Sequence, residues 1–465
     1  MSKLSQRQRP AAAESRPFEG LSQIHPHAAG VDIGAHEIMV CVPGPANTQL
    51  VRAFGSYTAD LHTLADWLSA HGICTVAMES TGVYWIPLFE TLEARGFQCC
   101  LISAASIKRF PGRKSDVLDC QWIQTLHSYG LLADSFRPDA DLIALRTLLR
   151  HRAQLIEHRR PHILHMQKAL VQMNLQLTQV LSDVMGETGQ RIIRAIVAGE
   201  RDPRQLAALR NFRCKKDADE MALALTGTWR EEHLFVLKQS LALFDFYTAQ
   251  LQVCDEEIER AYSLIRPDWG PPESGSLPAH KPGSHSKNAP RSASGRVHLQ
   301  RIAGVDLVAV NGISQSLAQV LLAEIGTDMT RFPTEKHFCS WLGLAPHNDI
   351  SGGRVLRSRT LKTHNRAGQA FRQAAAAVTR ADCAFGAFYR RKKSQLGPAQ
   401  ATVATAHKIA RVVYHMLKHK VEYHTASAAE YEQRFREREI KYLERKAARF
   451  GFSLAPSTAP ALAVS

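Results

Sequence analysis

The sequence predicts a mixed α/β domain followed by a longer, all-α stretch. Three observations carry this. Strand-like and helix-like stretches alternate over residues 30–136, two long segments with apolar residues every three or four positions occupy 139–263, and a Pro/Gly/Ser-rich run at 266–297 separates these from a basic helical region.

Residues 1–29 form a polar leader, predicted to be disordered, without the continuous apolar core of a secretory signal. GVDIGAHEIMVCVPG and QLVRAFGSYT read as strands. A helix follows near Leu61 to Ala70, then the strand ICTVAME, a helix near Tyr84 to Ala94, and the strand FQCCLIS. The next helix opens at Asp116: Val117, Leu118, Trp122, Ile123 and Leu126 recur at helical spacing, and Gly130 supplies a stop. Strands first, then strand and helix in alternation, predict a mixed sheet.

Over 139–263, ALRTLLRHRAQLIEHRRPHILHMQKALVQM and EEHLFVLKQSLALFDFYTAQLQVCDEEIERAYSLI predict a long antiparallel helical hairpin or coiled-coil arm, a candidate surface for oligomerisation. Pro161 is expected to kink or interrupt the first helix. His151, His158, His162 and His165 crowd that helix at spacings that could bind metal, but with no acid or thiol nearby a basic nucleic-acid face is the better reading. Residues 266–297 read as a flexible linker, 298–425 as a basic, mostly helical domain, and 426–465 as a charged helix with a disordered Ala/Pro tail.

No apolar run approaches the roughly 18 residues that span a bilayer, so a cytoplasmic protein without membrane contact is expected. Nine cysteines form no CxxC pair and no zinc spacing, and read as buried thiols in a reducing compartment. The 58 Lys and Arg exceed the 43 Asp and Glu to give a net charge of +15. Residues 351–420 alone hold 15 Lys and Arg against one acid, Asp382, which implies a polyanionic partner. Without an obvious Trp/Phe/Leu insertion face, nucleic acid fits better than a membrane surface.

Against that basic background, four acids stand out. Asp32 lies in the apolar strand GVDIG, where an unpaired carboxylate is expensive to desolvate. Glu79 closes the strand CTVAMES, at the kind of strand end where open α/β sheets place ligand crevices. Asp116 and Asp119 fall three apart on one helical face; taken alone, they would merely complement the helix dipole. Brought together, four carboxylates would need cations to offset their repulsion, which is what a two-metal phosphoryl-transfer site requires.

GVDIGAHEIMVCV, MESTGVYWIPLFETLEARG and GRKSDVLDCQWI resemble the RuvC-like, RNase-H-fold domain of the DEDD insertion-sequence transposases, the family often called IS one-ten. IAGVDLVAVNGISQSLAQVLLAEIGTDMTRFPTEKHFCSWLGLAPHNDISGG resembles that family's second transposase domain, and the likeness runs in order over nearly the whole chain. The resemblance implies a fold of RNase-H/RuvC-like mixed sheet, helical arm and helical C-terminal transposase domain. It also implies that Asp32, Glu79, Asp116 and Asp119 are catalytic metal ligands for Mg2+, two ions, and that Ser351 is a nucleophile on DNA. Further implied are donor and target DNA, an element-encoded guide (bridge) RNA, and a homo-oligomer, dimer or tetramer. Cys120 departs from the family pattern, which usually has a small residue there, and the long Pro-rich insertion is atypical.

From the residues alone, Ser351 in ISGGR has a plain alternative, since Ser-Gly-Gly is an ordinary turn. Its setting favours more: two glycines allow close approach to phosphate, and Arg354, Arg357, Arg359 and Lys362 follow to neutralise it. If the acids' metals assist the serine, the two domains meet in the active assembly. VNGISQSLAQVLLAEIG reads as a helix-hairpin-helix-like element or a plain helical hairpin. FYRRKKSQLG, with Arg390, Arg391, Lys392 and Lys393 beside aromatics, suits contact with a nucleic-acid backbone. The expected function is a transposase that excises and inserts its own element. A DEDD nuclease of Holliday-junction-resolving type and a non-catalytic nucleic-acid-binding derivative stand as rivals.

Overall fold

The computed structural model of the chain describes residues 21–45, 48–80, 82–103, 116–265, 288–290, 294–360, 365–424 and 427–455, with only the backbone described at 116–118 and 140. The chain divides into two compact units, residues 1–137 and 138–465, close to the boundary that the change of periodicity marks.

In the first unit, β1 (Ala28–Ile33), β2 (Glu37–Pro43), β3 (Gln49–Gly55), β4 (Thr75–Glu79) and β5 (Gln98–Ile102) form one sheet in the order β3-β2-β1-β4-β5. The first three strands are antiparallel neighbours, and β1, β4 and β5 run parallel. This is the predicted mixed α/β domain, of RNase-H/RuvC-like class. β1 starts two residues inside the stretch expected to be leader. The apolar strands β1 and β4 are buried almost end to end, as parallel neighbours at a sheet centre should be. Helices α1 (Thr58–Ala70) and α2 (Trp85–Ala94) bury Leu61, Leu64, Leu68, Leu88 and Leu92 in the same core as Val31, Val40 and Met78.

Helix α3 (Asp116–Ser128) lies across β1. A methyl group on Gly30 would come within 2.2 Å of the Gln124 backbone nitrogen and 2.3 Å of the Cys120 carbonyl, so helix and strand meet only because residue 30 has no side chain. Gln124 fastens the crossing: its amide donates to the Ala28 carbonyl (3.3 Å) and to Ser128 Oγ (2.9 Å), while its own oxygen accepts from Gln49 of β3 (2.6 Å). All nine cysteines are unpaired, and the expectation that they are buried holds only in part. Cys74 is exposed, and Cys99, Cys100 and Cys214 are half-buried although each packs against a core; Cys99 and Cys100 lie on β5, the edge strand of the sheet.

The second unit begins with α4 (Ala140–Gln172) and α9 (Glu231–Leu264), which pack as an antiparallel pair: Arg152 binds Asp255, and Arg159 reaches Thr248. The expected interruption at Pro161 does not occur. Pro161 faces solvent, so the Glu157 carbonyl that loses its helical partner remains open to water. Between the two helices a knob of short helices, α5 (Leu177–Val180), α6 (Glu187–Ala198), α7 (Pro203–Ala208) and α8 (Ala218–Ala224), closes its own core around Met173, Ile192, Ile196, Leu206 and Met221.

The C-terminal part holds α10 (Gly295–Ala303), a 3-10 turn at Leu307–Ala309, α11 (Gln315–Ile325), α12 (Glu335–Trp341), the hairpin β6 (Pro346–Ser351) and β7 (Arg354–Thr360), α13 (Arg366–Ala377), α14 (Ala384–Leu396), α15 (Pro398–His419) and α16 (Ala428–Arg449). α10 starts inside the stretch expected to be linker. Phe332, Phe338, Phe371 and Tyr414 form an aromatic centre, with the Tyr414 hydroxyl donating to the Phe332 carbonyl at 2.8 Å. The stretch read as a helix-hairpin-helix-like element or a plain helical hairpin folds as the 3-10 turn followed by α11. Its Gly312 has φ +92°, and a Cβ there would meet the Ala374 carbonyl at 2.4 Å, so this glycine serves close packing against α13. On the buried face of α11, Glu324 accepts hydrogen bonds from Arg146 and Arg150 of α4 at 2.8–3.0 Å.

Two measurements test these constraints. Gly30→Ala should destabilise the α/β unit by about 3 kcal/mol or more, since backbone rather than a movable side chain is in the way; a denaturant midpoint equal to wild type would refute the crossing. Burial raises the Glu324 carboxyl, but hydrogen bonds and charge from Arg150 and Arg146 outweigh it and hold the group below its ordinary value. Its contribution is therefore complete above the unfolded-state value and disappears as pH falls through the depressed one. Glu324→Gln should cost about 3 kcal/mol at neutral pH, and the difference should vanish in acid.

Candidate active site and nucleic-acid interface

Register places the first two acids side by side. β1 and β4 pair as Ala28↔Thr75 through Val31↔Met78, so Asp32 and Glu79 are the next step, at the C-terminal ends of adjacent parallel strands and on the same face. Both are half-buried at the end of otherwise buried strands. Neighbouring strands lie about 5 Å apart, so two carboxylates here repel unless positive charge stands between or beside them.

The crossing of α3 brings in the next pair. Gly30 and Asp32 are two apart on β1 and share the face that α3 covers. From Cys120 above Gly30 the helix runs back along the strand: Gln124 reaches Ala28, and the Ser128 carbonyl accepts from the backbone N–H groups of Ile24 and His25 at 2.9 Å. α3 is therefore antiparallel to β1. Its first turn, with Asp116 and Asp119, lies at the end of the strand that carries Asp32. Asp119 is half-buried; the Asp116 carboxyl lies outside the described residues, as do 104–115.

Beneath this edge, Cys41 of β2 and Cys120 share a hydrogen bond, which together with burial pushes the Cys41 thiol far up; the same bond draws Cys120 down, against burial and the charge of Asp32. The departure at Cys120 is thus accommodated by a second small thiol below it. Among the described residues no group of three or more His, Cys, Asp and Glu is close enough to hold a metal ion, and this includes the four histidines of α4. His162 instead stacks on Tyr247. The donor chemistry at the sheet edge nonetheless suits a hard divalent cation: Asp32, Glu79 and Asp119 offer only carboxylate oxygen.

Ser351 occupies the tip of the hairpin. It pairs with Arg354 across Gly352 and Gly353, whose φ values of +55° and +75° make the two-residue turn that only glycine adopts without strain. Both the ordinary turn and an exposed hydroxyl are therefore present. The pairing steps from Asp349↔Arg357 to Ile350↔Val355 and leaves Leu356 as a bulge. Directly paired residues share a face, so His347, Asp349 and Ser351 face the same way as Arg359, Arg357 and Arg354. Without the bulge, strict alternation would put Leu356 beside Arg354 and send Arg357 and Arg359 to the other side. Sequence reasoning found the arginines but missed the bulge. It also missed His347 and Asp349, although their spacing of two from Ser351 in a strand was the available signal; His347 Nε2 lies 3.8 Å from an Asp349 oxygen.

The remaining basic candidates divide. Lys362 lies outside the described residues. Arg390 is exposed and donates to the Ala381 carbonyl, while Lys393 is exposed. Lys392 bonds Gln395 of its own helix. Arg391 is turned into α16, donating to the Tyr431 hydroxyl and lying 3.6 Å from the Phe435 ring centre, so it holds helices together.

Two comparisons with known proteins bear on these sites. Residues 29–175 match a family model for the DEDD transposase of IS110 type, and residues 306–390 match a model described as Transposase IS116/IS110/IS902 family. The first span contains all four acids and the second contains Ser351. No curated protein matches the chain.

The shared face of the hairpin can be tested at constant charge. Arg357→Ala should lower the slope of log affinity for DNA against log salt by about one phosphate contact. Exchanging Arg357→Ser with Ser358→Arg keeps the net charge but moves the cation to the opposite face, and should lose as much as Arg357→Ala; retention of the wild-type slope would mean that the face is immaterial.

Proposed function

Because the chain belongs to the IS110 family of DEDD transposases, which makes it a DNA-cleaving recombinase, we propose that it excises and inserts its element through a Mg2+-dependent set of carboxylates and a serine nucleophile. The observation that carries this reading is the placement of Asp32, Glu79 and the first turn of α3 at one edge of the sheet. Asp32, Glu79, Asp116 and Asp119 would hold the cation, in keeping with the divalent-metal dependence that the family suggests. When bound, Mg2+ supplies positive charge against the phosphodiester undergoing transfer.

The serine's part follows from its surroundings. Arg354, Arg357 and Arg359 receive the phosphate on the face that carries Ser351, and Gly352 and Gly353 put no side chain in its way. Ser351 Oγ then attacks phosphorus, a Ser–O–P bond forms, and one deoxyribose oxygen leaves with a proton. One ester replaces another, so the bond energy is kept and a second strand's hydroxyl can reverse the step. The hairpin also exposes Ile350, Val355 and Leu356, and an isolated two-stranded ribbon is marginal in water, which favours a partner covering it in the working complex. DNA is the substrate the family implies; an element-encoded guide RNA and a dimer or tetramer extend the proposal.

A strand-exchange assay with Mg2+ and the element's own RNA checks it. Wild type should form a covalent protein–DNA adduct; Ser351→Ala should abolish the adduct, and Ser351→Ala and Asp119→Asn should each reduce exchange by about 1,000-fold or more. Cleavage that persists in Ser351→Ala without any adduct would replace this reading with the nuclease of Holliday-junction-resolving type.

A further inference from the structure

The knob at the far end of the arm carries a surface that the chemistry above leaves unused. Between α7 and α8 runs LRNFRCKKD, residues 209–217. Its Phe212 is 84% exposed, the highest value for a large apolar side chain among the described residues. The exposure is imposed by the loop's own bonding. The Asn211 backbone N–H donates to Thr188 Oγ1 (3.0 Å) and its side-chain amide to Glu187 Oε2 (3.2 Å), both in the first turn of α6. The Arg213 N–H returns to Asn211 Oδ1 (3.0 Å), the Cys214 N–H to the Asn211 carbonyl (2.9 Å), and Arg210 donates to the Lys216 carbonyl (3.0 Å). With Asn211 and Cys214 drawn inward, the ring between them is held in water. The loop thereby forgoes the stabilisation that burying a phenylalanine contributes.

A cation lies over that ring, and others lie nearby. The Arg213 guanidinium lies 5.3 Å from its centre, and Arg213, Lys215 and Lys216 line an adjoining cleft of about 560 Å3 between this loop and the start of α6. Acids at the cleft are engaged locally: Asp183 accepts from the Met185 N–H, and Glu187 accepts from Arg191 and Asn211. Lys216 is paired with Glu220, whereas among the described residues neither Arg213 nor Lys215 is in an ion pair. A flat apolar ring with a cation over one face and further cations along the adjoining cleft suits a flat ligand that also carries negative charge.

We propose that Phe212 and the Arg213/Lys215 rim of this cleft bind single-stranded nucleic acid, an unpaired base stacking on the ring and its flanking phosphates resting on the two cations. A duplex hides the faces of its bases and cannot stack in this way, and sequence matters little because every base has a π-face. Neither the sheet-edge acids nor Ser351 takes part.

The test uses the full chain and fluorescein-labelled 12-mers of oligo(rU) and oligo(dT), with a 12-base-pair DNA duplex alongside. Phe212→Ala should weaken both single strands by about 5- to 100-fold and leave the duplex within about twofold, while Phe212→Trp restores binding. Arg213→Ala should lower the single-strand salt slope by about 0.7. Loss on both oligonucleotides supports recognition of base and phosphate; loss on oligo(rU) alone supports the site with the 2′-hydroxyl read as well. Single-strand affinity unchanged in Phe212→Ala, equal weakening of the duplex, or a shift in sedimentation without a change in oligonucleotide affinity would each overturn it, the last in favour of a protein contact. Asp119→Asn should bind these oligonucleotides normally, which separates failure here from failure of the recombination chemistry.

Discussion

A helix can cross a strand closely enough to set its first turn at the strand's end only where the strand presents no side chain. Gly30 is that place. The distances of 2.2 and 2.3 Å that a methyl group would meet are to the backbone of α3, so no rotamer change relieves them. Everything proposed for the sheet edge depends on this contact. It fixes the direction of α3 against β1, and direction decides whether Asp116 and Asp119 stand at the end that holds Asp32 and Glu79 or at the opposite one. The buried Gln124, bonded to both β1 and β3, keeps the helix from sliding.

The hairpin obeys a similar economy in a different currency, that of parity. Three arginines at positions 354, 357 and 359 cannot share a face in a regular strand, because 354 and 357 are an odd number apart. One unpaired residue, Leu356, removes the conflict. A charged surface on this ribbon is therefore a property of the pairing rather than of composition, and Ser351 gains its cationic neighbours through a defect in the ladder.

These two cases explain what was and was not legible in the sequence. Strands and helices were legible because burial imposes periods that survive in the residue pattern; Asp32 stood out as an acid inside an apolar strand, and Glu79 by its place at a strand's C-terminal end. That α3 would run antiparallel to β1 was not legible, since nothing local in DVLDCQWIQ says which way a helix returns across a sheet. The bulge escaped for the same reason: RVLRSRT contains no glycine or proline to mark it, and only the partner strand reveals the step. Pro161 gave the opposite case: of the kink or interruption expected, the interruption does not occur, because the Glu157 carbonyl left unpaired faces water in a helix held by packing along its other side.

The charge of the 351–420 segment shows most clearly why a sum over residues is a blunt guide to a binding surface. Several of its cations are spent on the protein itself. Arg372 donates to the Gly343 carbonyl, Lys418 to Pro333 and Tyr414, Lys420 to Ala303, and Arg411 pairs with Glu335. Lys408 lies over the rings of Phe388 and Tyr431, where burial, with Arg391 and other cations nearby, pushes its ammonium down to about 8. These groups bind the C-terminal helices to each other and would contribute little to counterion release. Arg354, Arg357 and Arg359 are different: they stand exposed on the ribbon. The segment's excess of +14 thus overstates the cations free to meet a phosphate, since several are engaged within the fold while Arg354, Arg357, Arg359, Arg390 and Lys393 stay exposed.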